Sequence, residues 1–381
     1  MKRRHQGPAA VVAAVDSVGA LAAIRSLGRL GVPVIAAHHA TRAIGLRSRF
    51  AEHWLVPDPR SDEEGFVGSL LELARTLPDR APIFPVSDLY LDAIGRNYSS
   101  LGSRYILPFL DGDELRRLRD KRLQLECAAA AGVAIPHTSF EPSSELSFPV
   151  IVKSSDSASF VRLFGAKGIL CATRGELDDV FLTAKGLEPL IQEWIPGPDD
   201  QLLLAGAYLT RGGEMLGVVT CRKVTQFPAG IGTIRVGEAV PVSDVAEQAT
   251  AFLREAGCYG PSDVEFKRDQ RDGSLKFIEA NPRLVQWQGL AAAAGVDIAA
   301  IAYRDLTGQS PTVAVQGPTA KRWAITFLTG SGHERPGYGG AGPVRPRLPY
   351  TDAVFAADDP WPAAVQYGAI ARGLLARVRR S

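Results

Sequence analysis

The chain has 381 residues, 46% of them hydrophobic and 22% charged, with a formal net charge of +2. That length holds two or three domains with ample core, and the near-neutral balance leaves no electrostatic footprint for nucleic acid as the main partner. Cys127, Cys171, Cys221 and Cys258 are scattered, without zinc spacing or a disulfide framework, which fits a reducing cytoplasm.

At the N-terminus basic residues precede an apolar run, but Asp16 and Arg25 interrupt it and it is too short to span a bilayer. It reads as a first buried strand, and no membrane segment is expected. AAVVAAV (9–15), the turn DSVGA, the helical LAAIRSLGRLG and the run VPVIAAHH begin a parallel strand-helix-strand alternation. EHWLVPD, the helix around EEGFVGSLLELARTL and APIFPVSD continue it. A parallel α/β domain over residues 1–112 is predicted, with its functional edge at the loops after the strands, where Ser17, Gly19 and Asp88 lie, and with Arg49 nearby. His38 and His39 read as packing or loop residues.

Residues 111–131 are strongly helical, and from FPVIVK onward strands dominate, so residues 113–312 form a second predicted unit. After about residue 312 the Pro- and Gly-rich run through GSGHERPGYGGAGPVRPRLPY reads as an exposed connector to a final helix, making 313–381 a C-terminal extension. Arg372, Arg377, Arg379 and Arg380 suit a solvated face of that helix. The G-x-G-x-x-G match at Gly337, Gly339 and Gly342 is followed by Pro and Arg where a helix should begin, so it is no dinucleotide site.

The chemistry concentrates in SDVEFKRDQRDGSLKFIEANPR. Asp272-Gly273 is a hairpin signal, and a turn centred there sets Glu265 opposite Glu279. Side chains at alternate strand positions share a face, so Glu279, Asn281 and Arg283 converge. Two facing carboxylates repel unless a cation lies between them or one is protonated; magnesium, which takes one or two carboxylates plus substrate phosphates, meets that need. A solvated acidic face is the competing reading. Two further stretches supply the rest of a nucleotide site. PVIVKSSDS ends a strand in Lys153 and enters a hydroxyl-rich loop with Ser154 and Ser157, suited to phosphate oxygens. In LIQEWIPGPDD, backbone groups from Glu193 to Ile195 can pair with an adenine edge and an acid past the turn can accept ribose hydroxyls.

In that order, Lys121, Lys153, QEWIPG, the CRK of Cys221, Arg222 and Lys223, VEFK and IEANPR resemble the ATP-grasp superfamily of carboxylate ligases over roughly residues 115–305. The whole chain is most similar to its predicted carboligase branch, which includes D-aspartate ligase. The resemblance implies an α/β and α+β multidomain fold, with an N-terminal parallel α/β (pre-ATP-grasp) domain before a two-lobed ATP-grasp domain whose mobile lobe spans about 148–195. It implies ATP with two magnesium ions, for which manganese can substitute, and a cytoplasmic enzyme. By it, Lys121, Lys153, Ser154, Ser157 and Lys223 meet the phosphates, Glu193 and Ile195 the adenine, and Asp200, or else Asp199, the ribose. Glu265, Glu279 and Asn281 hold metal, and Arg283 and Arg222 stabilise the transferring phosphoryl group. Ser17, Gly19, Arg49, Asp88 and Gln286 are substrate-binding candidates.

Two departures stand out: SSDSAS replaces the family's glycine-rich phosphate loop and is expected to be poorly ordered without nucleotide, and Gln286, Trp287 and Gln288 follow NPR in place of charged residues. The implied reaction joins a carboxylate and an amine, one of them an amino acid, through an acyl phosphate, and dimerisation fits such ligases. Competing readings are carboxylation or carbamoyl phosphate chemistry, a small-molecule kinase, and a non-catalytic ATP-binding regulatory module.

Overall fold

The computed structural model describes residues 7–109, 111–326 and 350–378, with only the backbone of 370–378. Gly337, Gly339 and Gly342, most of the Pro- and Gly-rich run, Arg379, Arg380 and the side chains of Arg372 and Arg377 lie outside the described residues.

The first unit contains β1 (Ala10–Ala13), α1 (Val18–Arg29), β2 (Val34–His38), β3 (Ala51–Leu55), α2 (Glu63–Thr76), β4 (Ala81–Pro85), α3 (Asp88–Arg96), α4 (Tyr98–Gly102) and β5 (Tyr105–Ile106). Its strands pair in parallel in the order β3-β2-β1-β4-β5. All of β1 is buried, as a parallel strand covered on both faces requires, and its unbroken apolar run supplies that. The order reverses between β1 and β4, where ligands bind in doubly wound sheets. The helices after those two strands are capped by Ser17 and Ser87, whose hydroxyls accept the N–H of Ala20 and Tyr90. His38 ends β2 and stacks on Tyr90, whose hydroxyl lies 2.9 Å from His39 Nδ1.

Helices α5 (Gly112–Arg119) and α6 (Lys121–Ala130) lead into a small antiparallel sheet, ordered β6-β9-β7-β8. It consists of β6 (Thr138–Ser139), β7 (Val150–Ser154), β8 (Ile169–Cys171) and β9 (Pro189–Glu193), with α7 (Ser157–Phe164) and α8 (Arg174–Ala184) packed on it. The serine-rich run is therefore a loop only up to Asp156, which caps α7 by accepting the N–H of Ser159. Phe160 and Phe164, one helical turn apart, bury against this lobe's separate core and explain why a helix forms here.

The large sheet joins β10 (Leu202–Leu209), β11 (Met215–Phe227), β12 (Thr233–Ala239), β13 (Gly260–Arg268), β14 (Leu275–Asn281), β15 (Ala314–Val315), β16 (Lys321–Ala324) and β17 (Thr351–Asp352). Helix α9 (Ser243–Glu255) lies against β10 and β11, while α10 (Gln288–Ala293) and α11 (Ile298–Leu306) pack on α1. The predicted connector thus contributes sheet strands as well as linking to α12 (Trp361–Val378). One core runs through both units, uniting Leu21, Ile24 and Leu27 of α1 with Trp287, Leu290 and Ile298. Just before α12, buried Asp359 accepts hydrogen bonds from Arg25 Nε (2.9 Å), Ser48 Oγ (2.8 Å) and Arg49 N (2.9 Å). No helix among the described residues is long and apolar enough to cross a membrane.

Candidate active site

In the β13-β14 hairpin Glu265 faces Glu279 and Asp263 faces Asn281, one step out of the register next to the turn, where Arg268 faces Leu275. A bulge between Glu265 and Phe266 changes the parity of the pairing below the acids. Phe266 and Phe277 consequently enter the core beneath α9, while Glu265 and Glu279 stay on the open face.

Opposite this face stands the small sheet, and the two enclose a cavity of about 640 Å³, within the range of small-molecule sites. Lysines converge on it from several parts of the chain. Lys223 Nζ on β11 lies 2.7 Å from Glu265 Oε2, Lys121 Nζ at the start of α6 lies 3.6 Å from Glu279 Oε2, and Lys153 Nζ on β7 donates to Gln192 Oε1 at 3.0 Å. Lys167, before β8, and Lys267 on β13 line it too. Burial pushes the Glu279 carboxyl up, but Lys121, Lys167, Lys153 and Lys223 outweigh it and hold the group down at about 2. Burial, reinforced by Lys121, lowers Lys153 to about 8. Cations crowded in this way fit a polyanion such as a triphosphate.

The donor set also fits magnesium. Among the described residues no cluster of three His, Cys, Asp or Glu could hold a metal. Two carboxylates and the Asn281 amide leave coordination positions for phosphate oxygens and water, which is how magnesium binds beside nucleotides.

At one end of the cavity, Glu193, Trp194 and Ile195 line the wall. Glu193 accepts from His137 N at 3.2 Å and pairs with Arg271, while Lys267 Nζ bonds the carbonyls of Gly197 (2.7 Å) and Pro198 (2.9 Å). At the other end, Asp88 at the first turn of α3 accepts from Arg283 Nε at 2.6 Å and lies 3.3 Å from Arg119, which also holds Asp92. Burial raises Asp88, yet the two guanidinium groups keep it far below the usual carboxylate range. Gln286 lines this end. So does Asp263, whose buried Oδ1 has no hydrogen-bond partner; burial and the charge of Glu265 raise its carboxyl to about 7.

The cavity wall thus brings together Lys121, Lys153, Ser157, Glu193, Ile195, Lys223, Glu265, Glu279, Asn281, Arg283, Asp88 and Gln286. Six of the expected site residues lie outside this lining. Arg222 alternates with Lys223 on β11, and its guanidinium pairs with Glu238 away from the cavity lining. Ser154 is buried and donates to Leu187 O, so its hydroxyl turns inward. Asp200 is absent from the lining, and its alternative Asp199 is consumed by Gln226 and Gly230 N, holding the β11-β12 turn. Arg49 contacts the C-terminal extension, donating to Asp358 O at 3.2 Å. Ser17 and Gly19 lie one layer behind: a Cβ on Gly19 would stand 2.5 Å from Val285 O. Sequence reasoning missed Asp263, Lys167 and Lys267, which also line the cavity; for Asp263 and Lys267 the signal was present, as both alternate with Glu265.

Two antiparallel sheets that hold a lysine-rich cavity above a pair of facing carboxylates, preceded by a parallel α/β unit, define a nucleotide-grasping fold. The chain has the ATP-grasp fold, and residues 241–310 match the family model for the carbamoyl-phosphate synthase L chain, ATP binding domain. It is 24% identical over 272 residues to the D-aspartate ligase of Enterococcus faecium (strain Aus0004), a match covering 65% of this chain and 65% of that protein. The biotin carboxylase domain of the Hydrogenobacter thermophilus 2-oxoglutarate carboxylase, a dimer solved with MgADP, ADP and bicarbonate, superposes with a TM-score of 0.65 at 19% identity, covering 84% of this chain and 74% of that one. The L-amino acid ligase from Bacillus licheniformis gives a TM-score of 0.62 at 15% identity, with coverage of 82% and 76%.

Proposed function

We propose that the protein is an ATP-dependent carboxylate-amine ligase that forms an amide and releases ADP and phosphate. The observation that carries this reading is the Glu265-Glu279 pair ringed by Lys121, Lys153, Lys167 and Lys223, with a second polar group around Arg283 on its far side. Similarity to D-aspartate ligase and to an L-amino acid ligase supports an amino-acid substrate.

In this reading Trp194 and Ile195 receive the adenine, the lysines neutralise the phosphates, and Glu265, Glu279 and Asn281 hold magnesium. Bound there, magnesium would offset charge building on the phosphoryl oxygens. The substrate carboxylate, steered by Arg283, attacks the γ-phosphorus of ATP, the bond to the bridging oxygen breaks, and ADP leaves. The amine then attacks the acyl carbon, phosphate departs, and the amine loses a proton. Walls on both sides of the cavity keep water from the acyl phosphate.

The test is ADP and phosphate release over a matrix of amino acids, including D-aspartate, and amines, with Glu279→Ala as the blank. Release that needs both partners, with one new amide by mass spectrometry, is expected; loss of Glu279 should lower turnover by orders of magnitude. Release with an acid alone points instead to a kinase. Because the 2-oxoglutarate carboxylase domain was solved with bicarbonate, a labelled-bicarbonate arm tests the carboxylase reading, and fixation of label without an amine overturns the ligase.

A further inference from the structure

We propose that Asp263 is the anchor for the amine substrate, accepting a hydrogen bond from its amino group at Oδ1. This assignment rests on the ligase reading and deepens it, because it says where in the cavity the nitrogen is held and by what.

The first ground is an imbalance in the cavity. Glu265 has Lys223, Glu279 has Lys121, and Asp88 has Arg283 and Arg119. Asp263 is 5% exposed, lines the same cavity, and has an Oδ1 without any partner. The nearby donors are engaged elsewhere: Arg283 on Asp88, Asn281 and Leu284 O, and Lys223 on Glu265 and Gly232 O. Native proteins seldom leave a buried carboxylate oxygen unpaired, since it loses its hydration without compensation. A group that arrives with a ligand can make the missing bond, and an oxygen acceptor asks for an N–H or O–H donor.

The second ground is position. Lys267, Glu265 and Asp263 alternate along β13, so each lies roughly 7 Å from the next on one face. Lys267 marks the end near Gly197 and Pro198, beside the Trp194-Ile195 wall. Asp263 therefore lies beyond the metal-binding pair, on the side away from the adenine. There the acyl carbon must meet a nitrogen once the γ-phosphoryl group has been transferred.

A third observation is the neighbour. Gly206, which faces Asp263 on β10, lacks a side chain, and Trp287 fills that space: a Cβ on Gly206 would stand 3.1 Å from Trp287 Cη2. The ring forms an apolar wall beside the acid, and its Nε1 is buried and also without a partner.

The experiment uses Asp263→Asn, which keeps the shape and removes the charge. Three quantities are measured on the full chain: MgADP affinity by calorimetry, positional isotope exchange in oxygen-18-labelled ATP with the acid alone, and the amine KM for the amino acid that the unaltered protein ligates. The assignment expects unchanged MgADP affinity, retained isotope exchange and an amine KM raised at least tenfold. An amine KM within threefold of the unaltered protein overturns it, and a parallel fall in MgADP affinity overturns it by making Asp263 a metal ligand. If the unaltered protein shows no acid-dependent exchange, the ligase reading fails and this assignment falls with it. Should the Asn variant not fold, Asp263→Ser serves under the same criteria.

Discussion

Lys153 shows how burial and crowded cations change a lysine. Burial and the neighbouring Lys121 lower it from 10.5 to about 8, so the free protein loses this charge as pH rises through 8. A bound triphosphate favours the charged form, and binding above pH 8 must then take up a proton. Nucleotide affinity should accordingly be highest below pH 8 and fall above it, by up to about tenfold per pH unit for a single proton. Lys153→Met should weaken ADP binding about 10- to 100-fold, the value of a charge-assisted hydrogen bond, and flatten the fall between pH 8 and 9.5. Calorimetric titrations at several pH values check both, and an unchanged slope removes Lys153 from the phosphates. At this scale the carboxylate pair was legible because the Asp272-Gly273 turn signal brings the two acids near one another across the hairpin, and a bulge completes their pairing. Arg222 was not, since an adjacent Arg-Lys pair must split between two faces and the sequence does not say which residue turns inward. Asp263 was missed because an aspartate after proline and serine resembles a turn residue, although it shares the parity of Glu265.

Among the elements, α1 is the one whose sequence gives least warning of its task. Its Gly19 occupies a helical turn where alanine is normally better by up to about 1 kcal/mol. Here a Cβ would stand 2.5 Å from Val285 O and 3.0 Å from the Gln286 backbone. Rigid backbone on the far side makes the overpacking cost, about 1–3 kcal/mol, the larger effect. Gly19→Ala should therefore lower the denaturation midpoint and, by displacing Gln286 and Trp287, raise substrate KM more than nucleotide Kd. A stabilised variant with unchanged kinetics would show that this contact is slack. The helix itself was readable from its 3.6-residue pattern, as was the parallel alternation that precedes it. Helix α7 was not, because Ser-rich text hides a cap at Asp156 and only the Phe160-Phe164 spacing betrays it.

Across the whole molecule, the buried Arg25-Asp359 pair joins the first helix to the segment before the last one. Removing one partner of such a pair leaves an uncompensated buried charge, at a cost of about 3–5 kcal/mol. Asp359→Ala also strips acceptors from Ser48 Oγ and Arg49 N. It should lower stability by several kcal/mol in chemical denaturation while leaving MgADP affinity of the folded fraction intact; a loss below about 1 kcal/mol would show the extension to be loosely attached. Long-range closure of this kind has no local signature, which is why Arg49 looked like a candidate for substrate. The same pair also has a consequence for biosynthesis. Arg25 and Asp359 are 334 positions apart in the chain, so a ribosome finishes the parallel sheet's helix long before the acid exists. The nascent N-terminal unit has to wait with a cation that it cannot yet afford to bury. Chains stalled before that acid would display an unfinished seam to the proteases that police translation.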